Sequence, residues 1–271
     1  MNKYKLFIDV ILQKNINQNN VEEISKYCNS RNVPLNLVDY IPFSNEFPEI
    51  SCSEFSIFYG STNFIEAATK KFGKHNGIFT NENFNMQNYA DHYGKHMINY
   101  GSEILQMAEV LKKEDSDKEY FFRPNDDNKL FDGTVKSLSK IKAFLRQLID
   151  NDLATDTIKM LFGIPYGIKR EWRIFVVDGE IVTSSLYREN FNLKTSSEEK
   201  DNPKEMLKFA KEMIALYKPH DNFVIDICES GGEYYILELG SLNSCGFYKA
   251  DISKIFEALV RYMFSIKFVD F

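Results

Sequence analysis

The sequence predicts a mixed α/β (α+β) protein, and three observations support that class. Strand-like and helix-like segments alternate over residues 4–72, which is the pattern of a small open α/β domain. Two apolar hairpins that carry charged side chains lie within residues 169–243, and an amphipathic helix follows them. A chain of 271 residues is long enough for two or three subdomains around one cleft.

The composition argues against duplex nucleic acid as the main partner. Charged residues make up 27% of the chain and hydrophobic residues 44%, which is ordinary for a globular protein. The formal net charge is −6, whereas proteins that bind duplex phosphates usually present a basic surface. A local basic pocket is compatible with this charge.

Cysteine spacing and hydropathy predict a cytoplasmic protein. The four cysteines have no CxxC spacing, so we expect free thiols in a reducing compartment and no structural zinc. Asp9 interrupts the apolar run from Leu6 to Leu12, which indicates a first strand and not a signal peptide. No run approaches the ~18 apolar residues of a membrane span.

Residues 1–100 predict a small N-terminal domain. Its segments are a strand at 4–12, a helix at 21–32, strands at 33–38 and 54–59, and a helix at 64–72. The turn Gly60-Ser61-Thr62 could hold a phosphate at a helix N-terminus, or Ser61 or Thr62 could cap the helix. Residues 74–100 have no clean period and predict a connection out of this domain.

Amphipathic periodicity predicts four further helices. They cover residues 105–111, 137–149, 201–217 and 252–263. A strand is predicted at Tyr120–Pro124, and a polar loop follows it as far as Gly133. No internal repeat or low-complexity segment interrupts this series.

The first charged hairpin is predicted to turn at Asp178-Gly179, because Asp-Gly is a strong signal for a two-residue turn. Alternation along the two strands then places four charged residues on one face: Lys169, Glu171, Arg173 and Arg188. This face could be a partly exposed ion-pair cluster. It could instead be a cationic wall for a polyphosphate, with Glu171 accepting a hydrogen bond from a ribose hydroxyl. A bulge of one residue would move Arg188 to the opposite face.

The second charged hairpin places Asp226 and Glu238 among apolar residues. Such carboxylates are rarely fully buried unless they are paired or bind a metal. A three-residue loop at Ser230-Gly231-Gly232 would make Glu238 the diagonal neighbour of Asp226 on the same face. Two carboxylates so placed can share Mg²⁺, and Asn243 and Ser244 supply neutral oxygens nearby. The alternative is an exposed sheet face on which both carboxylates contact water.

Short motifs occur in a fixed order between residues 121 and 248. They are Phe121-Phe122-Arg123-Pro124-Asn125, Lys129-Leu130-Phe131-Asp132-Gly133, Glu171-Trp172-Arg173, Tyr187-Arg188, Asp226, Glu238 and Asn243-Ser244-Cys245-Gly246-Phe247-Tyr248. In this order and spacing the chain resembles the ATP-grasp superfamily, and most closely a clade found in bacteria and phages. That clade carries arginine in place of the central phosphate-binding lysine, a position that Arg123 would occupy.

The resemblance implies an ATP-grasp fold in three parts. Residues 1–100 would form a Rossmann-like lead domain. Residues 101–168 and 169–271 would form the central and C-terminal α+β subdomains, which clasp ATP between two sheets. The segment Phe162–Ile168 would bind adenine through its backbone, as a hinge.

The resemblance also implies a role for each candidate residue. The nucleotide would be bound by Arg123, Lys129, Gly133, Lys169, Glu171 and Arg173. The metal ligands would be Asp226, Glu238 and Asn243, and the catalytic residues would be Arg188 and Arg173. Gly240 departs from the family pattern, because ATP-grasp proteins usually have asparagine two residues after the metal-binding glutamate. Asn243 could take over that position's role.

The function implied by the resemblance is an ATP-dependent ligase that joins a carboxylate to an amine or thiol. With ATP and Mg²⁺, the carboxylate would become an acyl phosphate with release of ADP, and the acceptor would then displace phosphate. The alternatives are a kinase-like phosphotransferase and a non-catalytic ATP-binding module. The sequence leaves open whether the substrate is a small molecule or a peptide, and it leaves the oligomeric state open.

Overall fold

The computed structural model describes residues 8–41, 47–125 and 130–269, with side chains as far as residue 266. Within these ranges the strands form sheets of three, four and five strands, which follow one another along the chain. The mixed α/β class predicted from the sequence is therefore confirmed. Lys129 and the beginning of the predicted strand at 4–12 lie outside the described residues.

The first sheet is parallel and is built from the N-terminal residues. Its elements are β1 (Val10–Gln13), α1 (Gln18–Arg31), β2 (Leu35–Val38), β3 (Ile57–Tyr59) and α2 (Thr62–Phe72). The strand order is β2-β1-β3, and the central strand β1 is buried along its whole length, as expected for a parallel sheet covered on both faces. The hydroxyl of Ser61 accepts a hydrogen bond from the amide of Phe64 and caps α2. This contact confirms the helix-cap interpretation of the Gly60-Ser61-Thr62 turn.

The helix α7 (Ile252–Val269) completes the core of the first sheet. Ile255, Phe256 and Leu259 are fully buried in the same apolar cluster as residues of β1 and α1. The aromatic ring of Tyr59 on β3 stacks on Phe247, just before α7, with 4.8 Å between the ring centroids. Both ends of the chain therefore share one core, and the division into parts at residues 100 and 168 stays a prediction.

The second sheet is antiparallel and has the order β4-β7-β5-β6, with one helix before it and two within it. The elements are α3 (Met86–Tyr93), β4 (Glu103–Gln106), α4 (Met107–Lys112), β5 (Glu119–Pro124), β6 (Thr134–Ser137), α5 (Leu138–Asp150) and β7 (Lys159–Gly163). The apolar stripe predicted for α5 is buried against Phe122 and Met160 of the sheet. The helix α3 lies within the stretch that the sequence predicted to be an irregular connection.

The third sheet carries both charged hairpins. Its elements are β8 (Ile168–Val177), β9 (Glu180–Glu189), β10 (Asn192–Ser196), α6 (Lys204–Leu216), β11 (Phe223–Ser230) and β12 (Glu233–Gly240). The order is β10-β9-β8-β11-β12, and every pairing is antiparallel. One face, which includes Trp172 and Ile174, packs on α6. Residues 164–167 connect β7 to β8 and so join the second and third sheets, at the position of the predicted hinge.

The cysteines and helices agree with the sequence. All four cysteines are free thiols, and Cys28, Cys228 and Cys245 are buried. None of the helices in the described ranges is long and apolar enough to cross a membrane. The cytoplasmic location stays a prediction.

His75 is expected to make the stability of the first domain sensitive to mild acid. Burial lowers its pKa below the ordinary value of 6.5, and the neutral ring accepts from the amide of Gly77 while its other nitrogen contacts the carbonyl of Ser53. Since the folded pKa is the lower one, the unfolded chain takes up the proton first as the pH falls below 6.5. The stability present above that pH is therefore lost at lower pH.

This prediction is tested by urea unfolding at pH 7.5 and pH 5.5. The variant His75→Gln should lose less unfolding free energy between these values than the wild type, by less than ~1.4 kcal/mol per pH unit, the ceiling for one proton. The matched control is His92→Gln, because His92 lies on the exposed side of α3. An unchanged pH dependence in His75→Gln would contradict the prediction.

Candidate active site

The first charged hairpin turns where the sequence predicts. Asp178 and Gly179 have φ values of 56° and 73°, and Val177 pairs with Glu180. The ladder then contains two irregularities, one between the Phe175 and Val176 pairs and one between the Glu171 and Trp172 pairs. A single bulge would have moved Arg188 to the other face, but the second bulge restores the original alternation.

The two bulges place Arg188 directly opposite Glu171. Its Nη1 lies 3.4 Å from Oε1 of Glu171. Glu171 is buried, whereas about half of the Arg188 side chain, 49%, is exposed. The predicted gathering of Glu171, Arg173 and Arg188 on one face is therefore observed, although the pairing that produces it differs from a regular ladder.

Lys169 does not join this group, and the predicted grouping is wrong for this residue. Its Nζ lies 3.3 Å from Oε1 of Glu229. The same carboxylate accepts a 2.7 Å hydrogen bond from Arg170, whose guanidinium lies over the ring of Trp172 on the opposite face of the sheet. The register shift beside Ile168 allows this, because it ends the strict alternation at that end of β8.

The second charged hairpin reaches its predicted result by a different route. The loop has two residues, Gly231 and Gly232, both with left-handed φ values of 61° and 86°, so the predicted three-residue loop is wrong. The additional residue is Leu237, which lies in a bulge between the Ile236 and Glu238 pairs. Because of this bulge, Glu238 pairs directly with Asp226 on the same face and is not its diagonal neighbour.

Asp226 is held by a two-point ion pair with Arg173 on the adjacent strand. The Nε and Nη2 atoms of Arg173 donate to the two oxygens of Asp226 at 2.9 and 2.8 Å. Asp226 is only 1% exposed. Burial opposes the charge of Arg173, but the Asp226 carboxylate prevails and raises the arginine pKa well above its usual value. Each carboxylate oxygen retains a second lone pair for another ligand.

Two tyrosines, which the sequence analysis missed as site residues, enclose the Arg173 guanidinium. The rings of Tyr187 and Tyr248 stack with 4.8 Å between their centroids, and the guanidinium carbon of Arg173 lies 5.9 and 5.4 Å from those centroids. Burial, followed by the nearby carboxylates, raises the pKa of Tyr187 well above its usual value. Tyr248 has a φ of 54°, which is unusual for a tyrosine. The adjacent Gly246 and Arg188 in the motifs were the available signal.

Arg123 brings the second sheet to the third. Its Nη1 lies 3.7 Å from Oε2 of Glu238, and its Nη2 lies 3.8 Å from the sulfur of Met86. Gly133 lies alongside, since a Cβ at that position would be 2.9 Å from the ring of Phe121 and 3.6 Å from Cβ of Arg123. A glycine therefore allows the loop before β6 to approach β5 closely beside Arg123.

The site balances its charges and offers two carboxylates for one divalent cation. The arginines are Arg123, Arg173 and Arg188, and the carboxylates are Glu171, Asp226 and Glu238. No cluster of three or more histidine, cysteine, aspartate or glutamate residues that could hold a metal exists in the described part of the chain. The pair Asp226 and Glu238 nevertheless fits Mg²⁺, which is usually held by one or two carboxylates together with substrate phosphates.

Asn243 has a structural position that contradicts its assignment as a metal ligand. Its side-chain nitrogen donates to the carbonyls of Phe58 at 2.6 Å and Gly77 at 2.9 Å, and its oxygen accepts from the amide of Phe79. The residue is fully buried. The carboxamide therefore attaches the end of β12 to the first domain, and Gly240, which pairs with Val224, supplies no ligand in its place.

The family comparison agrees with this fold and site. The model of an ATP-grasp domain family, described as family 3 of its clade, matches residues 61–259. The chain belongs to this family, so the superfamily resemblance seen in the motifs is confirmed. Membership makes ATP and Mg²⁺ the cofactors of the site, as the resemblance implied.

Solved structures share the fold at low sequence identity. They include D-alanine–D-alanine ligase from Bacillus anthracis, with a TM-score of 0.62, 10% identity and coverage of 97% of this chain and 99% of that chain. A RimK domain ATP-grasp protein from Sphaerobacter thermophilus has a TM-score of 0.60, 10% identity and coverage of 95% and 98%. The ATP-grasp ligase PsnB, complexed with a minimal precursor, has a TM-score of 0.56, 11% identity and coverage of 95% and 100%. No curated protein sequence matches the chain.

Replacement of Asn243 by aspartate should destabilise the fold without strengthening metal binding. A carboxylate cannot donate to the carbonyls of Phe58 and Gly77, and each buried acceptor left without a donor costs about 1–3 kcal/mol. Urea unfolding measures the loss, and a Mg²⁺ titration measures the binding. Normal stability together with tighter Mg²⁺ binding in Asn243→Asp would restore Asn243 as a ligand.

Proposed function

We propose that the protein is an ATP-dependent ligase that joins a carboxylate to an amine or thiol through an acyl phosphate, with release of ADP and phosphate. One observation carries the proposal: Asp226 and Glu238 are direct cross-strand neighbours beside arginines from two different sheets. This arrangement suits the triphosphate and metal end of a nucleotide. Membership of the ATP-grasp family supports the ligase class in general.

Arg123 is proposed to bind the phosphates of ATP in the place of the usual lysine. Its planar guanidinium suits bidentate contact with phosphate oxygens. The 3.7 Å distance to Glu238 is longer than a hydrogen bond, so a phosphate competes with a weak partner. Gly133 and Lys129 are proposed to contribute from the loop that follows β5, and Phe162–Ile168 is proposed as the adenine hinge.

The carboxylates are proposed to divide two tasks. Glu171, on the face of Arg173, accepts a hydrogen bond from a ribose hydroxyl. Asp226 and Glu238 hold Mg²⁺, which supplies neutralisation of phosphate charge. Lys169 leaves the proposed nucleotide set because its amine is paired with Glu229.

Arg188 is proposed as the residue that stabilises both chemical steps. In the first step an oxygen of the substrate carboxylate attacks the γ-phosphorus, and ADP leaves. In the second step the neutral amine attacks the acyl carbon, phosphate leaves, and the amine nitrogen loses a proton to solvent. The exposed guanidinium of Arg188 has five N–H groups, of which its contact with Glu171 uses few. The others can donate to the transferring phosphoryl group and then to the tetrahedral oxyanion.

Arg173 is proposed to hold these groups in place. It is fixed by Asp226 and by the two tyrosines, so its remaining N–H groups have a defined direction. One of them contacts the carbonyl of Gly246 at 3.4 Å. The proposed reaction needs no protein nucleophile.

One observation favours a non-catalytic ATP-binding module as a second candidate. Asn243 is occupied elsewhere and Gly240 has no side chain, so only Asp226 and Glu238 remain of the three expected ligands. A weaker metal site would bind nucleotide without efficient turnover. An ADP-release screen across carboxylates and amines separates the two candidates, because the module would give no ADP with any pair.

Arg188→Ala should abolish ADP formation while ATP still binds. Loss of one donor to a developing oxyanion typically lowers turnover by ~10²–10³-fold. The measurement is ADP release with the substrates found in the screen, alongside ATP binding by calorimetry. The matched control is Lys194→Ala, an exposed cation on the neighbouring strand β10. Full activity in Arg188→Ala would remove this residue from catalysis.

Glu238→Gln should raise the Mg²⁺ concentration needed for nucleotide binding. The glutamine keeps the shape of the side chain but lacks the charge that a hard cation prefers. Calorimetric titration of a non-hydrolysable ATP analogue at several Mg²⁺ concentrations gives the shift. Glu233→Gln, an exposed carboxylate on the same hairpin, should show none. Equal Mg²⁺ dependence in the two variants would mean that Glu238 is not a ligand.

A further inference from the structure

A cavity of about 240 Å³ opens next to Arg123 and Glu238, on the side of the first domain. One wall is the beginning of α2, with Thr62, Ile65 and Glu66. The other walls are residues 80–89, the end of β5 and the residues that follow Glu238 on β12. The cavity therefore lies between the metal-binding hairpin and the N-terminal domain.

The charges of the cavity favour a cationic occupant. Its charged groups are Glu66, Arg123 and Glu238. Arg123 and Glu238 face each other at 3.7 Å and offset each other. Glu66 is exposed to the cavity, and no cation in the described ranges lies within ion-pair distance of it. One carboxylate without a counter-ion therefore remains.

Asn125 adds an acceptor that also lacks a donor. Its Oδ1 is buried in the wall of the same cavity, and no donor in the described residues reaches it. A buried acceptor without a hydrogen bond costs about 1–3 kcal/mol. An occupant that brings N–H groups would supply what both Glu66 and Asn125 lack.

The size and the apolar lining restrict the occupant further. Ile65, Phe84 and Tyr89 contribute apolar surface, and Thr62 and Thr80 contribute hydroxyls. The volume is below the roughly 300–1,000 Å³ of pockets for drug-sized ligands. A molecule of amino-acid size fits this space, and a longer peptide would have to extend out of its opening.

We propose that this cavity binds the acceptor substrate as a small primary ammonium ion with a short apolar body, and that Glu66 is the carboxylate that recognises the ammonium group. The inference rests on the proposed ligase function. It adds the class of acceptor and a specificity residue outside the nucleotide site. Arg123 and Glu238 border the cavity, so an amine bound there lies beside the proposed site of acyl phosphate formation.

The test is a binding experiment with alaninamide, a small primary ammonium compound without a carboxylate. Binding is measured by ligand-observed NMR, with Mg²⁺ and a non-hydrolysable ATP analogue present. Alaninamide should bind the wild type, and Glu66→Gln should weaken its binding at least tenfold while nucleotide affinity stays unchanged. Two controls should not bind: N-acetylalaninamide, which is neutral, and propionate, which is an anion. The variant Glu22→Gln, on the distant helix α1, should behave as the wild type.

The outcomes separate this inference from the proposed function. Nucleotide binding with no alaninamide binding, or with equal binding in Glu66→Gln, overturns the inference and leaves the ligase proposal standing. Binding of propionate in place of alaninamide overturns it as well, because the cavity would then take the carboxylate substrate. Glu66-dependent alaninamide binding without any nucleotide binding would support the cavity assignment and contradict the ligase proposal.

Discussion

The buried ion pair between Arg173 and Asp226 is the interaction on which the rest of the site depends. Removal of either partner would leave an uncompensated buried charge, which typically costs about 3–5 kcal/mol. A buried pair is nevertheless weak evidence for stability, since apolar replacements are often neutral or better. We interpret the pair as a positioning device: it fixes Asp226 opposite Glu238 and holds Arg173 between Tyr187 and Tyr248.

The first domain is attached to this hairpin by buried polar contacts. Asn243 bonds to three backbone groups of residues 58–79, and the hydroxyl of Tyr59 donates to the carbonyl of Cys245 at 2.6 Å. Burial raises the pKa of Cys245 to about 12, so its thiol is unreactive and serves in packing. These contacts fix the distance between α2 and β12, and that distance defines the cavity beside Glu66.

Much of the fold and the main charged residues could be predicted from the sequence, because periodicity and turn chemistry are local. The Asp178-Gly179 turn and the buried stripe of α5 are examples. The bulges could not be predicted, since they depend on how both faces of the third sheet pack. Without the bulge at Leu237, a two-residue loop would have separated Asp226 and Glu238, so the correct face was predicted for an incorrect reason.

Other differences have the same physical origin. The order of the motifs placed Asn243 near the metal site, but only the tertiary structure reveals the three backbone partners that occupy its side chain. Lys169 followed the alternation rule until a register shift ended it. The helix α3 was missed although Met86, Tyr89 and Tyr93 have helical spacing and are buried, because the asparagines around them favour turns and caps.

The most direct test of the account is a crystal structure of the protein with Mg²⁺ and a non-hydrolysable ATP analogue. The account predicts a metal ion bound by Asp226 and Glu238 at about 2.0–2.1 Å, with the triphosphate reaching Arg123 and with Asn243 still bonded to the backbone of the first domain. A metal ion bound through Asn243, or a nucleotide bound away from the Asp226–Glu238 pair, would contradict it.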